Sequence, residues 1–580
     1  MPAVTEQPTK QGPRKDLHKK RRDWLRSWGA LKTDRTSWDT HWGDLSEFLL
    51  PRQGRFFTTD RNRGGRRDEE ILNCWGTLAA ESSAAGLKAH ASSSARPWFR
   101  LRVRDRRLNQ NPAVKRWLEE VEQILQGFFA DSNTYETLHH IYSELLVFGT
   151  GATVLMPDPE TALWHHPLTI GEYAIATDYR GRVNTLYREF ERTVAETVEE
   201  FGLERCSHAT RNRHQNGDLH GPVSILHVIE PRKHRDHTKH DRLNMPWVSC
   251  YLELGGGDHD MVLRESGYRE FPALVPRWKV AGGDVYGHSP GMNVLGDIMS
   301  LQQLELRKGQ VVDYQTAPPK TLPSTLQNQV INRMPGGFSF HSALNDQAKI
   351  EDLYDAKYAR VDHIDQSIAR VEQRIDRGLF RDLFQLLSAA ERDPRMTAFE
   401  VAIRQEEKMT ILGPALDRLH NELLEPLVDF AFRQLIETGA HPPLPEELLH
   451  RELQVEFIST LAQAQKAINS NSIDRFVLSL GQVAAMKGDV VDKFDADAWA
   501  DRYSDLLGVP PELVVPGKKV ALVRQERARA EAAVAQSQLM AEQAKAARDL
   551  AASPVGESNA LDLLGQTQGY TSPTALELAQ

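Results

Sequence analysis

The chain is poor in cysteine, with only Cys74, Cys206 and Cys250 among its 580 residues, far apart and without metal-ligand spacing. That scarcity argues against a disulfide framework and a zinc module, and points to reduced structural thiols. No apolar run approaches the roughly 18 residues a membrane span needs, and the mean hydropathy is -0.49. The N-terminal KQGPRKDLHKKRR has no apolar core of the kind a signal peptide carries. A soluble chain that stays in the cytoplasm where it is made is expected. Catalytic signatures are missing as well: there is no G-x-x-x-x-G-K-[ST], and VPGKKV near Gly517 lacks the first glycine. Without that loop there is no basis for phosphate cradling and ATP hydrolysis. H-E-x-x-H and G-x-S-x-G are absent too, and Asp158 and Glu160 sit in a Pro-interrupted loop as turn chemistry. A non-enzyme without cofactor or metal is expected.

What the chain does have is length and helical period. With 40% hydrophobic and 26% charged residues it can build several cores, so a multidomain, predominantly helical α+β protein is expected. Ser289 suits an N-cap and Pro290 a first helical position, and Val294, Ile298, Leu301 and Leu304 continue the stripe. From Val361 through Ile364, Ile368, Val371, Ile375, Leu379 and Leu383 to Leu387 a second apolar stripe runs between charged residues. It predicts one helix about 40 Å long at 1.5 Å per residue. Between the two helices Pro318, Pro319 and Pro323 interrupt the chain, and Gly336 and Gly337 turn it into a short strand at Phe338 to Phe340. SAAERDPRMT then forms a polar break before Thr397 and Glu400, which fit a capping box. Leu412, Leu416, Leu419, Leu423, Leu427 and Phe430 give the next helix one face, with kinks expected at Pro414 and Pro426.

In the N-terminal part, Trp24, Trp28 and Leu31, then Trp38, Trp42, Leu45 and Phe48, predict two amphipathic helices ended by Pro51. Tryptophans at helical spacing belong to a core, although a subunit interface would use them equally well. Two more helices are expected around Trp117 to Phe129 and Tyr135 to Phe148, and GTGATVLMPDPE turns into a strand. SILHVIEP, WVSCYLEL and HDMVLRES read as strands, with a turn at Gly255, Gly256 and Gly257. His234, His237 and His240, with His227 nearby, have a spacing that invites a metal. Arg232, Lys233, Arg235, Lys239 and Arg242 crowd the same segment and repel a cation, so a solvated loop is expected. HPPLPEELL opens a new unit, with several short helices over Leu453 to Leu507, and 520–552 has strong helix composition with a weak apolar stripe. The Gly-, Ser- and Thr-rich residues after Ser553 are expected to be flexible.

Four blocks in this order, GLKAHASSSARPWFRL, ELLVFGTGATVLMPDPE, GDVYGHSPGMNVLGDIMSLQQLE and RMTAFEVAIRQEEKMTILGPALDRLHNELLEPLVDFAFRQL, cover positions 86 to 435. In their succession the chain resembles the portal proteins, the head-to-tail connectors of short-tailed, T7-like bacteriophages. The resemblance implies a portal fold of wing, stem, clip, crown and C-terminal helical barrel, closed as a ring of typically twelve copies around a channel. Duplex DNA would enter through it during packaging and leave at ejection, at one capsid vertex of the virion. The implied partners are further copies, the terminase motor, a tail adaptor, and the major capsid and scaffolding proteins, with no membrane involved. Mapped onto this chain, the resemblance implies a wing over 1–283, a stem helix over 284–312, a clip over 313–350 and a return stem helix over 351–387. A tunnel loop over 388–396, a kinked wing helix over 397–439, a crown over 440–515, a barrel helix over 516–552 and a tail over 553–580 follow.

A net charge of -9 suits a duct, because each phosphate neutralised by Lys or Arg releases counterions and tightens the grip. The DNA-facing candidates are Arg392 and Arg395 in the loop, flanked by Glu391 and Asp393. Lys308, Arg370, Arg374 and Arg377 on the stem are weaker ones, since an ordinary solvated charge or an ion pair explains them as well. Two other classes are compatible with parts of the pattern. An internal ejection or scaffold-like virion protein would use long helices in bundles, and a nucleic-acid-processing enzyme is suggested only by the basic N-terminus and the histidines.

Overall fold

The computed structural model describes residues 14–56, 65–105, 108–239, 241–255, 262–316, 320–321, 351–352, 361–390, 412–448 and 453–458, and parts of 476–559. The chain divides into two compact units, Met1–Ile468 and Asn469–Gln580. The expected capping box at Thr397, the strand at Phe338 to Phe340, and Glu391, Arg392, Asp393 and Arg395 lie outside the described residues.

The first unit opens with a single helix, α1 (Arg14–Phe48), where two were expected. No proline separates Leu31 from Trp38, and Arg35 bridges the polar stretch by turning inward, its Nη1 donating to the Tyr173 carbonyl at 2.5 Å. The buried face, Trp24, Trp28, Arg35, Trp42, Leu45, is therefore unbroken, and its tryptophans lie in the subunit's own core. Helix α2 (Trp75–Ala91) follows, then β1 (Phe99–Val103), α3 (Pro112–Asp131) and α4 (Thr134–Val147). The Asn111 side chain caps α3 by accepting from Ala113 N, and Pro112 occupies a position whose missing N–H costs nothing.

Strands β2 (Ala152–Asp158), β3 (Ala162–Leu168), β4 (Tyr173–Thr177) and β5 (Val183–Thr193) lead to α5 (Val194–Phe201) and α6 (His208–Gln215). After them come β6 (Pro222–Pro231), β7 (Trp247–Glu253), β8 (Arg264–Tyr268) and β9 (Ala273–Leu274). An antiparallel five-stranded sheet has the order β4-β5-β6-β7-β8, and a three-stranded one the order β3-β2-β9. The capping box expected elsewhere in the chain occurs at α5, between Thr193 and Glu196.

Helix α7 (Pro290–Thr316) starts where its cap places it: Ser289 Oγ accepts from Met292 N at 2.9 Å. It begins later than residue 284 and runs past Val312. Strands β10 (Lys320–Thr321) and β11 (Glu351–Asp352) pair antiparallel, so the return limb opens with a strand residue pair, not helix. The single 40 Å return helix is in fact two, α8 (Val361–Gly378) and α9 (Arg381–Ala390). Between them Phe380 takes a left-handed φ of 62°, a conformation that costs a non-glycine residue about 1 kcal/mol. Periodicity could not reveal this, because Leu379 and Leu383 are both buried and the stripe continues through the break.

The last long helical stretch, described from 412 to 438, holds a π-helical turn at His420–Leu424 immediately before Pro426. Glu425 N donates to the His420 carbonyl, so the widened turn accommodates the proline that would otherwise crowd the carbonyl four residues back. The extra residue moves the buried stripe. It leaves Leu412, Leu416, Leu419 and Leu423 and resumes at Leu424, Leu427, Val428, Ala431 and Leu435, with Phe430 only partly buried.

One expected boundary is wrong. Leu453–Phe457 is a strand, β12, paired antiparallel with β1 from Phe99↔Phe457 to Val103↔Leu453. Phe457 stacks on Trp98 at 6.4 Å and on His420 at 4.1 Å. Residues 440–458 therefore belong to the first unit and not to a crown. In the second unit the principal described element is the helix Gly517–Ala552, exposed along its described length.

Candidate functional site: the helical stem and its root

Helices α7 and α8 pack antiparallel. Asp365, near the start of α8, accepts from Lys308 at 2.7 Å, and Arg374, near its end, pairs with Asp297 at 2.8 Å. The Asp365 hydrogen bond holds the Lys308 ammonium above its ordinary range. At the close of α8, Gly378 lies against Val294, and a Cβ on it would overlap the valine Cγ1. Ile368, Val371 and Ile375 form the buried face of α8, and Ile298 and Leu301 that of α7, all within one core with Leu45 and Leu49 of the first helix. Of the four basic stem candidates, Lys308 and Arg374 are thus engaged within the subunit, while Arg370 and Arg377 are exposed.

A polar strap that sequence reasoning missed ties the stem to the segment before α2. Gln302 Oε1 accepts from Leu72 N at 2.7 Å and Asn73 N at 2.8 Å, and Gln302 Nε2 donates to the Asn73 carbonyl at 2.9 Å. Asn73 Nδ2 donates to Glu305 on α7 at 3.0 Å and to Glu372 on α8 at 3.4 Å, so one side chain touches both helices. Trp75 Nε1 donates to Asp376, which also accepts from Arg381, and the Arg381 guanidinium lies 4.7 Å over the Trp75 ring. No period or motif marks LNCW in the sequence; these bonds span more than 200 positions.

The root of the stem brings two of the signature blocks together. Gly149, with φ 83°, meets Gly287 backbone to backbone, and a Cβ on either would overlap the other's carbonyl. Gly287 N donates to Thr150 Oγ1 at 2.8 Å, and Ser289 Oγ donates to the Val147 carbonyl at 2.6 Å. FGTGA and VYGHSP are thus the two sides of one joint, and their glycines are required by that close approach. Beside it Arg277, whose side chain is 3% exposed, is gripped by Glu422 from the π-helical turn, with Nη2–Oε1 at 2.7 Å and Nε–Oε2 at 3.2 Å. Arg277 N donates to the same carboxylate at 2.9 Å. A fork-to-fork ion pair fixes direction as well as distance, so the turn that shifts the helical stripe also anchors the root of α7.

Elsewhere, His227 lies on β6, fully buried, bonded to Ser249 and stacked 3.9 Å from Tyr251; burial pulls its pKa well below the usual value. His234 and His237 are exposed in the following loop. Among the described residues no group of three or more His, Cys, Asp or Glu is arranged to hold a metal. Among them, too, no helix is long and apolar enough to cross a membrane.

A mainly helical α+β subunit that projects an antiparallel helix pair from a rigid glycine joint is built as a component of an assembly. Residues 21–515 match the model of the bacteriophage head to tail connecting protein, and the chain belongs to that family. It is 47% identical to the probable portal protein of Bordetella phage BPP-1 over 94% of this chain and 98% of that one. It is 37% identical to the portal protein of Salmonella phage epsilon15 over the same shares. The chain's function is accordingly that of a portal protein. Subunits in the neck of an empty GTA particle show a loose likeness, at 13% identity and a TM-score of 0.33 over 79% of this chain and 96% of theirs.

Proposed function

We propose that twelve copies close into a ring around a DNA channel, with α7 and α8 of each copy as the stem. The observation that carries this reading is the stem's charge arrangement. Lys308 and Arg374 are offset by Asp365 and Asp297 at 2.7 and 2.8 Å, which leaves a wall of mixed sign in a chain of net charge -9. Such a wall lets a polyanion slide because few phosphates exchange counterions for protein cations. In this reading 313–350 is the clip that docks the terminase motor and later the tail adaptor, and 388–396 is the tunnel loop. Arg392 and Arg395 there touch passing DNA, tempered by Glu391 and Asp393, with Arg370 and Arg377 as secondary contacts. Assembly in the host cytoplasm involves the scaffolding and major capsid proteins. The subunit performs no catalysis, and 516–552 contributes a helical barrel.

Electron microscopy of purified protein tests the ring: closed rings with an axial hole are expected, and monomers at every concentration would overturn the reading. Replacing Arg392 and Arg395 together by Ala is expected to alter DNA packaging or retention with rings intact. Unchanged packaging and retention would remove those two arginines from the mechanism.

A further inference from the structure

The chain's positive charge is concentrated in two segments that the fold brings together. RKDLHKKRRDWLR, residues 14–26, holds seven Lys or Arg against two Asp, and RKHRDHTKHDR, residues 232–242, holds five against two, in a chain whose net charge is -9. The first forms the opening turns of α1, and the second leaves the end of β6. They meet at Glu265 on β8, where Lys20 Nζ and Arg232 Nη1 stand 3.5 and 2.8 Å from the same Oε1. One carboxylate is shared by two cations, so the junction stays positive. Beyond it Lys19, Arg22 and Arg26 are exposed at helical spacings of three and four, a line about 10 Å long. Lys233 and Arg235 are exposed in the adjoining loop. Of the neighbouring acids, Asp23 is exposed on α1, and Asp236 is paired with Lys239 at 3.5 Å.

We infer that this surface binds the phosphate backbone of duplex DNA outside the channel. The choice of partner follows from what the surface lacks. Protein interface cores are enriched in aromatic and depleted in charged residues, whereas the exposed positions of α1 from 19 to 30 carry Lys, Arg, Asp, Gly and Ala and no aromatic side chain. A row of cations on one helix face suits an evenly charged phosphate strand and gives sequence-independent, salt-sensitive binding. The patch is separated from the stem by most of α1: Arg22 lies about 35 Å along the helix axis from Leu45, which packs in the core beside Ile298 of α7. The duplex as ligand rests on the portal reading, but the surface is independent of the channel.

Covalently closed circular DNA separates the two, because it cannot thread a ring. With full-length protein, retention of closed circular plasmid is expected at 50 mM NaCl and is expected to weaken steeply by 200 mM. The variant Lys19→Ala, Arg22→Ala, Arg26→Ala, Lys233→Ala, Arg235→Ala should bind at least tenfold more weakly at 50 mM, with a log–log salt slope shallower by about four. The charge-retaining pair Lys19→Arg, Lys233→Arg should bind as the parent does. Arg392→Ala with Arg395→Ala should leave plasmid binding unchanged, so a failure of the channel reading registers separately. Equal plasmid affinity for parent and five-fold variant, or no binding by the parent at 50 mM, would overturn the inference. Competition by polyglutamate as effective as by DNA would transfer the surface to an acidic protein.

Discussion

At the scale of single residues, two buried carboxylates set opposite expectations. Glu122 on α3 accepts from Leu101 N at 2.6 Å, and burial raises its pKa to about 7 from an ordinary 4.5, against the pull of that bond and of Arg100. Its protonated form is the one the fold favours. The stability tied to it is therefore complete below about pH 4.5 and is lost as pH rises through about 7, by a total of about 3 kcal/mol. Glu122→Gln keeps an acceptor for Leu101, so it should match the parent near pH 4.5 and exceed it at pH 8. Denaturant titration at both values checks this, and a variant with the parent's full pH dependence would refute it. Glu422 is the reverse case, since its carboxylate compensates a buried guanidinium. Glu422→Ala strands Arg277 and should cost about 3 kcal/mol, read as a lowered midpoint in the same titration.

Among elements, local chemistry was legible where one stretch of chain decides the outcome. Ser289 and Pro290 announced the start of α7, Trp117 and Tyr135 fell in α3 and α4, and the HVIEP and WVSCYLEL runs became β6 and β7. Breaks and joins governed by distant residues were not legible. Arg35 looked like a polar interruption until Tyr173, 138 positions away, turned it into part of the buried face of α1. Leu453, Val455 and Phe457 alternate as a strand should, but their partner β1 lies about 350 residues upstream. The strap at Asn73 had no signal at all, because its bonds join segments with no shared pattern. The stem pair offers a direct test of packing. Gly378→Ala should cost about 1–3 kcal/mol by overpacking against Val294, and Val294→Ala in that background should recover part of the loss. A thermal-unfolding double-mutant cycle reads the coupling, and additive effects would show that the two residues do not meet.

For the whole molecule, the division between units belongs after β12 and not after Gly439. A chain ending at Gly439 loses the strand that covers Trp98 and Phe99, the Pro442 carbonyl that accepts from Trp117 at 3.1 Å, and Glu447, which accepts from Asn111 at 3.2 Å. A chain ending at Ile468 keeps all three. The shorter chain should be insoluble or melt at a markedly lower temperature, and the longer one should unfold cooperatively; equal melting would return the boundary to residue 440. The π-helical turn at His420–Leu424 also fixes how this protein can change length. It acts as a one-residue phase shift, so deleting a single residue there would close it to an ordinary turn and rotate everything after it by about 100°. Ala431 and Leu435 would swing off the core while every side chain stayed chemically the same. In this helix the count of residues carries as much information as their identity, and a deletion should be tolerated less well than any single replacement at the same place.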